Sequence, residues 1–210
     1  MKGNGSRPGP RSRVRRTQGE RSAATRAKVV EAATECVAEL GYRGATMSVM
    51  AQRAGVSWGA MQHQFGEKDA IFDAVLERVM AQLEGNFRGL REGHPEPVDR
   101  IRAFVQRNRE IAGGPIYRAF VEIQLHRGRA GGDAARVWAN YVGDVIADVW
   151  RNLFSDLGLS RRRLEDAQRF TFVVLSGIAA EAMLFPDVDF SARHFDILEE
   201  TLLRLLDQEG

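Results

Sequence analysis

Cysteine is nearly absent: Cys36 stands alone among 210 residues. No internal disulfide can form, which fits a reducing, cytoplasmic setting. Cys36 shares a helical face with Val29, Ala33, Val37 and Leu40, where a small buried hydrophobe is expected rather than a redox sensor. Apolar runs fall far short of the ~20 residues that span a bilayer. The basic N-terminus lacks the apolar segment of a signal peptide. The expectation is a cytoplasmic protein with no membrane partner. Catalytic signatures are missing too, with no Gly-rich phosphate loop, no Gly-x-Ser-x-Gly and no His-Glu-x-x-His. His63, His94, His126 and His194 are scattered without metal-ligand spacing. Neither catalysis nor a metal or other cofactor is expected. Strand-like alternation and internal repeats are also lacking.

What is present is the composition of a folded protein, 44% apolar. A chain of this length buries a sizeable core in one or two domains. The formal net charge of +2 hides an asymmetry. Residues 1 to 28 hold nine cations against Glu20 alone, a net +8, which leaves −6 for the other 182 residues. Residues 1–21 therefore read as a basic, disordered arm rich in Gly and Pro. Such an arm either tracks DNA phosphates and the minor groove or is a solvated tail.

Residues 41 to 68 carry the most information. Thr46 is placed to N-cap a helix from Met47 to Ala54. Ala51 and Ala54 are small where two helices must cross closely, and Gly55 permits the positive φ of a tight helix end. Val56 can pin the turn to the core, and Ser57 caps a second helix reaching Phe65. Met61 and Phe65, four apart, face inward. Ser57, Trp58, Gln62 and His63 are left to face outward. That layout is a helix-turn-helix, whose second helix enters the major groove of DNA.

The run from Thr25-Arg26 and Ala32-Ala33 through Gly41-Tyr42, Thr46, Ala51 and Ala54-Gly55-Val56-Ser57 to Gly59, Phe65, Lys68 and Ile71 resembles the DNA-binding domain of the TetR family of transcriptional regulators. Two positions depart from that family, which usually has Tyr where Gln62 stands and often His where Gln64 stands. Both positions commonly touch DNA in the family, and Gln62 retains the chemistry to read a base edge or a phosphate. The resemblance implies an all-α fold, a DNA-binding domain over residues 22–68 that continues into helix 67–87, and a ligand-binding and dimerisation domain over 88–210. It also implies a homodimer, a double-stranded DNA operator, a small-molecule effector and, by family tendency, repression. Base-edge contacts are expected from Trp58, Gln62 and His63, and phosphate contacts from Thr46, Ser57, Gly59 and Lys68. The rival readings are a helical protein-interaction module or a helical-bundle enzyme, neither of which binds DNA.

Helical periodicity runs on to the C-terminus. A first helix is expected over Ser22–Leu40, and a fourth carries Ile71, Phe72, Val75, Leu76, Val79 and Leu83 to about Phe87. Gly89 to Pro97 reads as a connector. Further helices are expected over Val98–Ala112, Pro115–Arg127, Ser160–Phe185 and Ser191–Leu206, and after Gly128 to Gly132 one that carries an apolar stripe from Val137 to Phe154 and is closed by Gly158. Apolar stripes on the last two, among them Phe170, Val174, Ile178 and Phe195, Leu198, Leu202, Leu206, suggest association as well as core. Phe104, Phe120, Trp138, Tyr141 and Phe172 are either plain core or the lining of a pocket for a small, largely apolar effector. Glu181 lies within an apolar run and either pairs with a cation, meets a ligand or is solvated.

Overall fold

A computed structural model describes residues 17–185 and 191–207. The expected arm over residues 1–21 therefore lies almost wholly outside the described residues. Within them there are ten α-helices, one 3-10 turn and no strand.

The first helix, α1 (Gln18–Gly44), begins four residues before the expected Ser22. The cause is a reciprocal capping box: the Thr17 hydroxyl accepts from Glu20 N–H at 3.2 Å, and the Glu20 carboxylate accepts from Thr17 N–H at 2.7 Å. Its regular backbone stops where expected, at Gly41, whose φ of 71° departs from the helix. Then come α2 (Met47–Ala54), α3 (Trp58–Phe65) and α4 (Lys68–Phe87). The expected connector holds a one-turn helix, α5 (Leu90–Gly93). The bundle continues with α6 (Pro97–Ala112), α7 (Pro115–Ala130), α8 (Asp133–Phe154), a 3-10 turn at Ser155–Leu157, α9 (Arg161–Leu184) and α10 (Ser191–Leu205). Proline at the first position of α6 and α7 costs nothing, since that N–H has no intrahelical partner. The helix α7 runs through Gly128, and α8 starts at Asp133, directly after Gly132 and one turn before its apolar stripe.

Two apolar cores result. One joins α1–α4 to α7 and the middle of α8, around Val29, Cys36, Met50, Met61, Phe72 and Phe120. The other joins the end of α4 to α6, α8, α9 and α10, around Phe104, Trp150, Phe154, Phe195 and Leu202. Leu83, Tyr117 and Ile146 pack against both and mark the seam. Phe195, Leu198, Leu202 and Leu206 are buried inside the chain, so the apolar stripe of α10 is core and not free for association. The α10 stripe packs on α6 and α9, an intramolecular partner for the amphipathic face that spacing alone does not reveal. By length and composition α9 is the one described helix that could cross a bilayer. It packs instead among α6, α7, α8 and α10.

The lower bundle is closed by Arg100, which is 1% exposed. Its guanidinium donates to the carbonyls of His94, Pro95 and Leu153 and to both oxygens of Asp156, all within 2.6–2.9 Å. This fixes the α5–α6 loop to the 3-10 turn. The Arg100 hydrogen bonds hold the Asp156 carboxyl below its ordinary pKa.

Candidate DNA interface and internal cavity

The caps expected from sequence set the helix-turn-helix. Thr46 Oγ1 accepts from Val49 N–H at 3.3 Å, and Ser57 Oγ accepts from Ala60 N–H at 3.2 Å. Between them Gly55 adopts φ 64°, ψ 34°, and the N–H groups of Gly55 and Val56 close onto the carbonyls of Gln52 and Ala51. Met61 is fully buried and Phe65 nearly so. The opposite side of α3 is open: Trp58 is 53% exposed, and Ser57, Gly59, Gln62 and His63 are exposed as well. The amides of Trp58 and Gly59, in the first turn of α3, have no carbonyl partner within the helix. Thr46 is exposed beside them.

Two residues are placed less simply. Gln64, on the flank of α3, donates its amide to Ser22 Oγ of α1 at 2.6 Å, which ties down the rotation of α3 about its axis. Lys68 is half-buried: its ammonium donates to Tyr42 O at 2.7 Å and lies 4.7 Å and 5.2 Å from the Tyr42 and Phe72 ring centroids. Burial lowers its pKa. One of its three N–H donors is used by Tyr42 O.

That Tyr42 turn was missed as a functional element, because its partners lie 26 to 84 residues away in sequence. Tyr42 N–H donates to Glu122 Oε1 at 3.0 Å, and its hydroxyl donates to Asp69 Oδ1 at 2.8 Å. Its ring stacks on His126 with centroids 3.6 Å apart. Burial, reinforced by the Asp69 carboxylate, pushes the phenol pKa up to about 12. A few residues on, Arg127 bridges to Asp73 at 2.7 Å. One face of α7 thus grips both the C-terminal end of α1 and the first turns of α4.

A cavity of about 70 Å³ lies at the seam of the two cores. Among its walls are Phe104, Phe120 and Phe172, as expected, and also Asn108, Tyr117, Trp150 and Gln168. Trp138 and Tyr141 do not reach it. They meet each other edge to face at 5.3 Å nearer the DNA-binding end, where Trp138 lies under Arg127 and Tyr141 is 41% exposed. Helical spacing put them on the α8 stripe but could not tell which end of the stripe the cavity touches. Burial raises the Tyr117 phenol pKa to about 12, slightly opposed by its hydrogen bond with Ser176. Glu181 lies 3.5 Å from His194, away from the cavity lining.

A capped, outward-facing α3 set against α2 by the tight turn at Gly55 is the layout of a helix-turn-helix. Residues 29–75 match the bacterial regulatory proteins of the tetR family. The BetI transcriptional regulator of Paraburkholderia phytofirmans is 32% identical over 108 residues, 49% of this chain and 55% of that relative. The chain thus spans about half the length of the first relatives it matches. BetI 1 of Chromohalobacter salexigens is 27% identical over 85% of this chain and 91% of its own. In fold, the FadR regulator of Bacillus subtilis solved with stearoyl-CoA superposes with a TM-score of 0.66 at 18% identity, over 88% of this chain and 98% of its own. Over residues 29–75 the chain is thus similar to the tetR-family regulators, within a fold that resembles theirs. Among the described residues the fold is all-α.

Proposed function

We propose that the protein is a ligand-responsive repressor that binds an inverted-repeat operator as a homodimer in the bacterial cytoplasm. The observation that carries this reading is a continuous α4, which starts at Lys68 beside the reading helix and lines the cavity with Val79, Met80, Leu83 and Phe87. A molecule that enlarges the cavity displaces α4, and α4 carries the spacing of the reading heads. The grip of α7 on Tyr42 and Asp73 offers a second route, since Tyr117 and Phe120 of the same helix line the cavity. That FadR was solved with stearoyl-CoA supports an effector with a large apolar part.

On the DNA side, Trp58, Gln62 and His63 meet base edges, with Gln62 able to pair bidentately with adenine. Thr46, Ser57, Gly59 and Lys68 meet phosphates. The partner copy covers the outer face of α9, where Phe172, Val173 and Leu184 are exposed. Two-fold symmetry doubles the few base pairs that one short helix reads. Selection from a random duplex pool tests this directly: an inverted repeat with half-sites ~34–36 Å apart, or a larger whole-turn multiple, is expected. An asymmetric site, or no enrichment, refutes it.

A further inference from the structure

Three surface grooves border the cavity. One at α4, α5 and α8 shares Phe87 and Val149 with it, and one at α4, α6 and α7 shares Val79, Leu83 and Tyr117. The third, of about 470 Å³, is a cleft between α8 and α9 lined by apolar Ala147, Leu159 and Leu164 and by charged Arg151, Arg161 and Glu165. Its border with the cavity is made of two polar side chains, Trp150 and Gln168.

Both of these carry hydrogen-bonding groups that the fold leaves unused. Trp150 is 5% exposed, yet its indole N–H meets no acceptor among the described residues, and the nitrogen is not sealed off from solvent. A buried indole ordinarily finds an acceptor, since its N–H can only donate and has little water left to bond. The ring is also fixed in place: Phe104 meets it edge-on at 5.5 Å and Phe154 packs on it at 4.9 Å. The donor is therefore aimed by its neighbours. Gln168 is half-buried, and its amide likewise makes no hydrogen bond among the described residues. Asn108 and Thr171, elsewhere on the lining, instead spend a donor within their own helices, on Phe104 O and Ala167 O at 2.9 Å each.

We propose that Trp150 and Gln168 form the polar contact of the effector site, and that the effector is an elongated, mostly apolar molecule with a carbonyl or similar acceptor partway along it. This deepens the reading above and rests on the cavity's being the effector site. The apolar end fills the cavity, whose lining carries no charged side chain. The acceptor takes the Trp150 N–H, while Gln168, able both to donate and to accept, meets the same group or its neighbour. The remainder of the molecule follows the α8–α9 cleft to the surface. A hydrocarbon of equal size would leave both groups unpaired, which is how a site built to hydrogen-bond its ligand rejects an analogue lacking the polar atom.

The probes 6-propionyl-2-(dimethylamino)naphthalene and 6-propyl-2-(dimethylamino)naphthalene test this, since they differ by one carbonyl. The readout is the ratio of their dissociation constants on the full-length protein, in which a change of packing alone cancels. Trp150→Phe keeps an aromatic wall and removes the donor. It is expected to shift the ratio about fivefold against the propionyl probe, the factor of one ordinary hydrogen bond. Emission of the bound propionyl probe is expected to move to shorter wavelength, as it does when the carbonyl loses a hydrogen-bond donor. Gln168→Leu is expected to shift the ratio in the same direction. Ala147→Trp, which fills the α8–α9 cleft, is expected to weaken both probes, whereas Asn152→Trp and Asn86→Trp, in the other two grooves, are not. No binding of either probe, or an unchanged ratio in Trp150→Phe, overturns the acceptor contact, and weakening by Asn152→Trp or Asn86→Trp instead overturns the route. Trp150-dependent binding that leaves operator affinity unchanged at saturating probe keeps the contact and refutes the cavity as effector site.

Discussion

Gln62 and Trp58 face solvent because Met61 and Phe65 hold the other side of α3 in the core. Replacing Gln62 by Ala is expected to cost about 1–3 kcal/mol at the selected operator and relax one base position, read by binding titrations on single-base variants. Full affinity with both Gln62 and Trp58 replaced contradicts the assignment. Arg100 makes a separate prediction. Arg100→Ala strands the Asp156 carboxylate and the carbonyls of His94, Pro95 and Leu153, and is expected to destabilise the fold by ~3–5 kcal/mol in urea unfolding. The pH dependence follows from the depressed carboxyl. Unfolded, Asp156 titrates near ~3.9, and folded it titrates lower, so the pair's contribution is complete above pH ~4. It is lost as pH falls from there through the folded value. Asp156→Asn is expected to be less stable at neutral pH but to lose less stability below pH 4. The caps Thr46 and Ser57 were legible because capping is local, within three residues. Arg100 was not, since nothing in its spacing announces that one arginine serves a loop before it and a turn 53 to 56 residues after it.

Among the elements, α7 carries the least expected role. Periodicity located it to within three residues, yet its polar residues Glu122, His126 and Arg127 meet partners on α1 and α4 that only the tertiary fold selects. Glu122→Ala leaves the half-buried Tyr42 N–H without its carboxylate. A loss of about 1.5–3 kcal/mol in stability is expected, with weaker operator binding although α3 is untouched. Gln restores an acceptor at the same place, so Glu122→Gln should recover most of the stability. Equal stability of the Ala variant would show that the turn is held by its other contacts. The two C-terminal stripes teach the complementary point. Both were readable as apolar faces, but only the fold shows that α10 is covered within the chain while Val173 on α9 remains 61% exposed.

For the whole molecule, that open α9 face and the basic N-terminus predict concentration and salt effects. Val173→Glu places a charge where a partner copy would bury it, so light scattering is expected to report a monomer and operator affinity is expected to fall. A dimer of unchanged strength removes α9 from the interface. Deleting residues 1–20 is expected to flatten the salt dependence of binding, since each lost phosphate contact releases one counterion fewer. Identical slopes would make the arm a bystander. Fold class was legible here because every helix except the one-turn α5 announced itself by a stripe and a cap or a breaker. The position of the cavity was not, because it depends on where two cores fail to meet.

The bond from Gln64 to Ser22 bears on how the protein can be re-engineered. Inward residues Met61 and Phe65 set the depth of α3, and Gln64 sets its azimuth against α1, so none of the three is free to drift when neighbouring positions change. Positions 58, 59, 62 and 63 then form an exchangeable cassette on a fixed mount. On the proposed reading, libraries confined to those four positions are expected to change the preferred DNA sequence while the cavity at the seam of the two cores is left untouched.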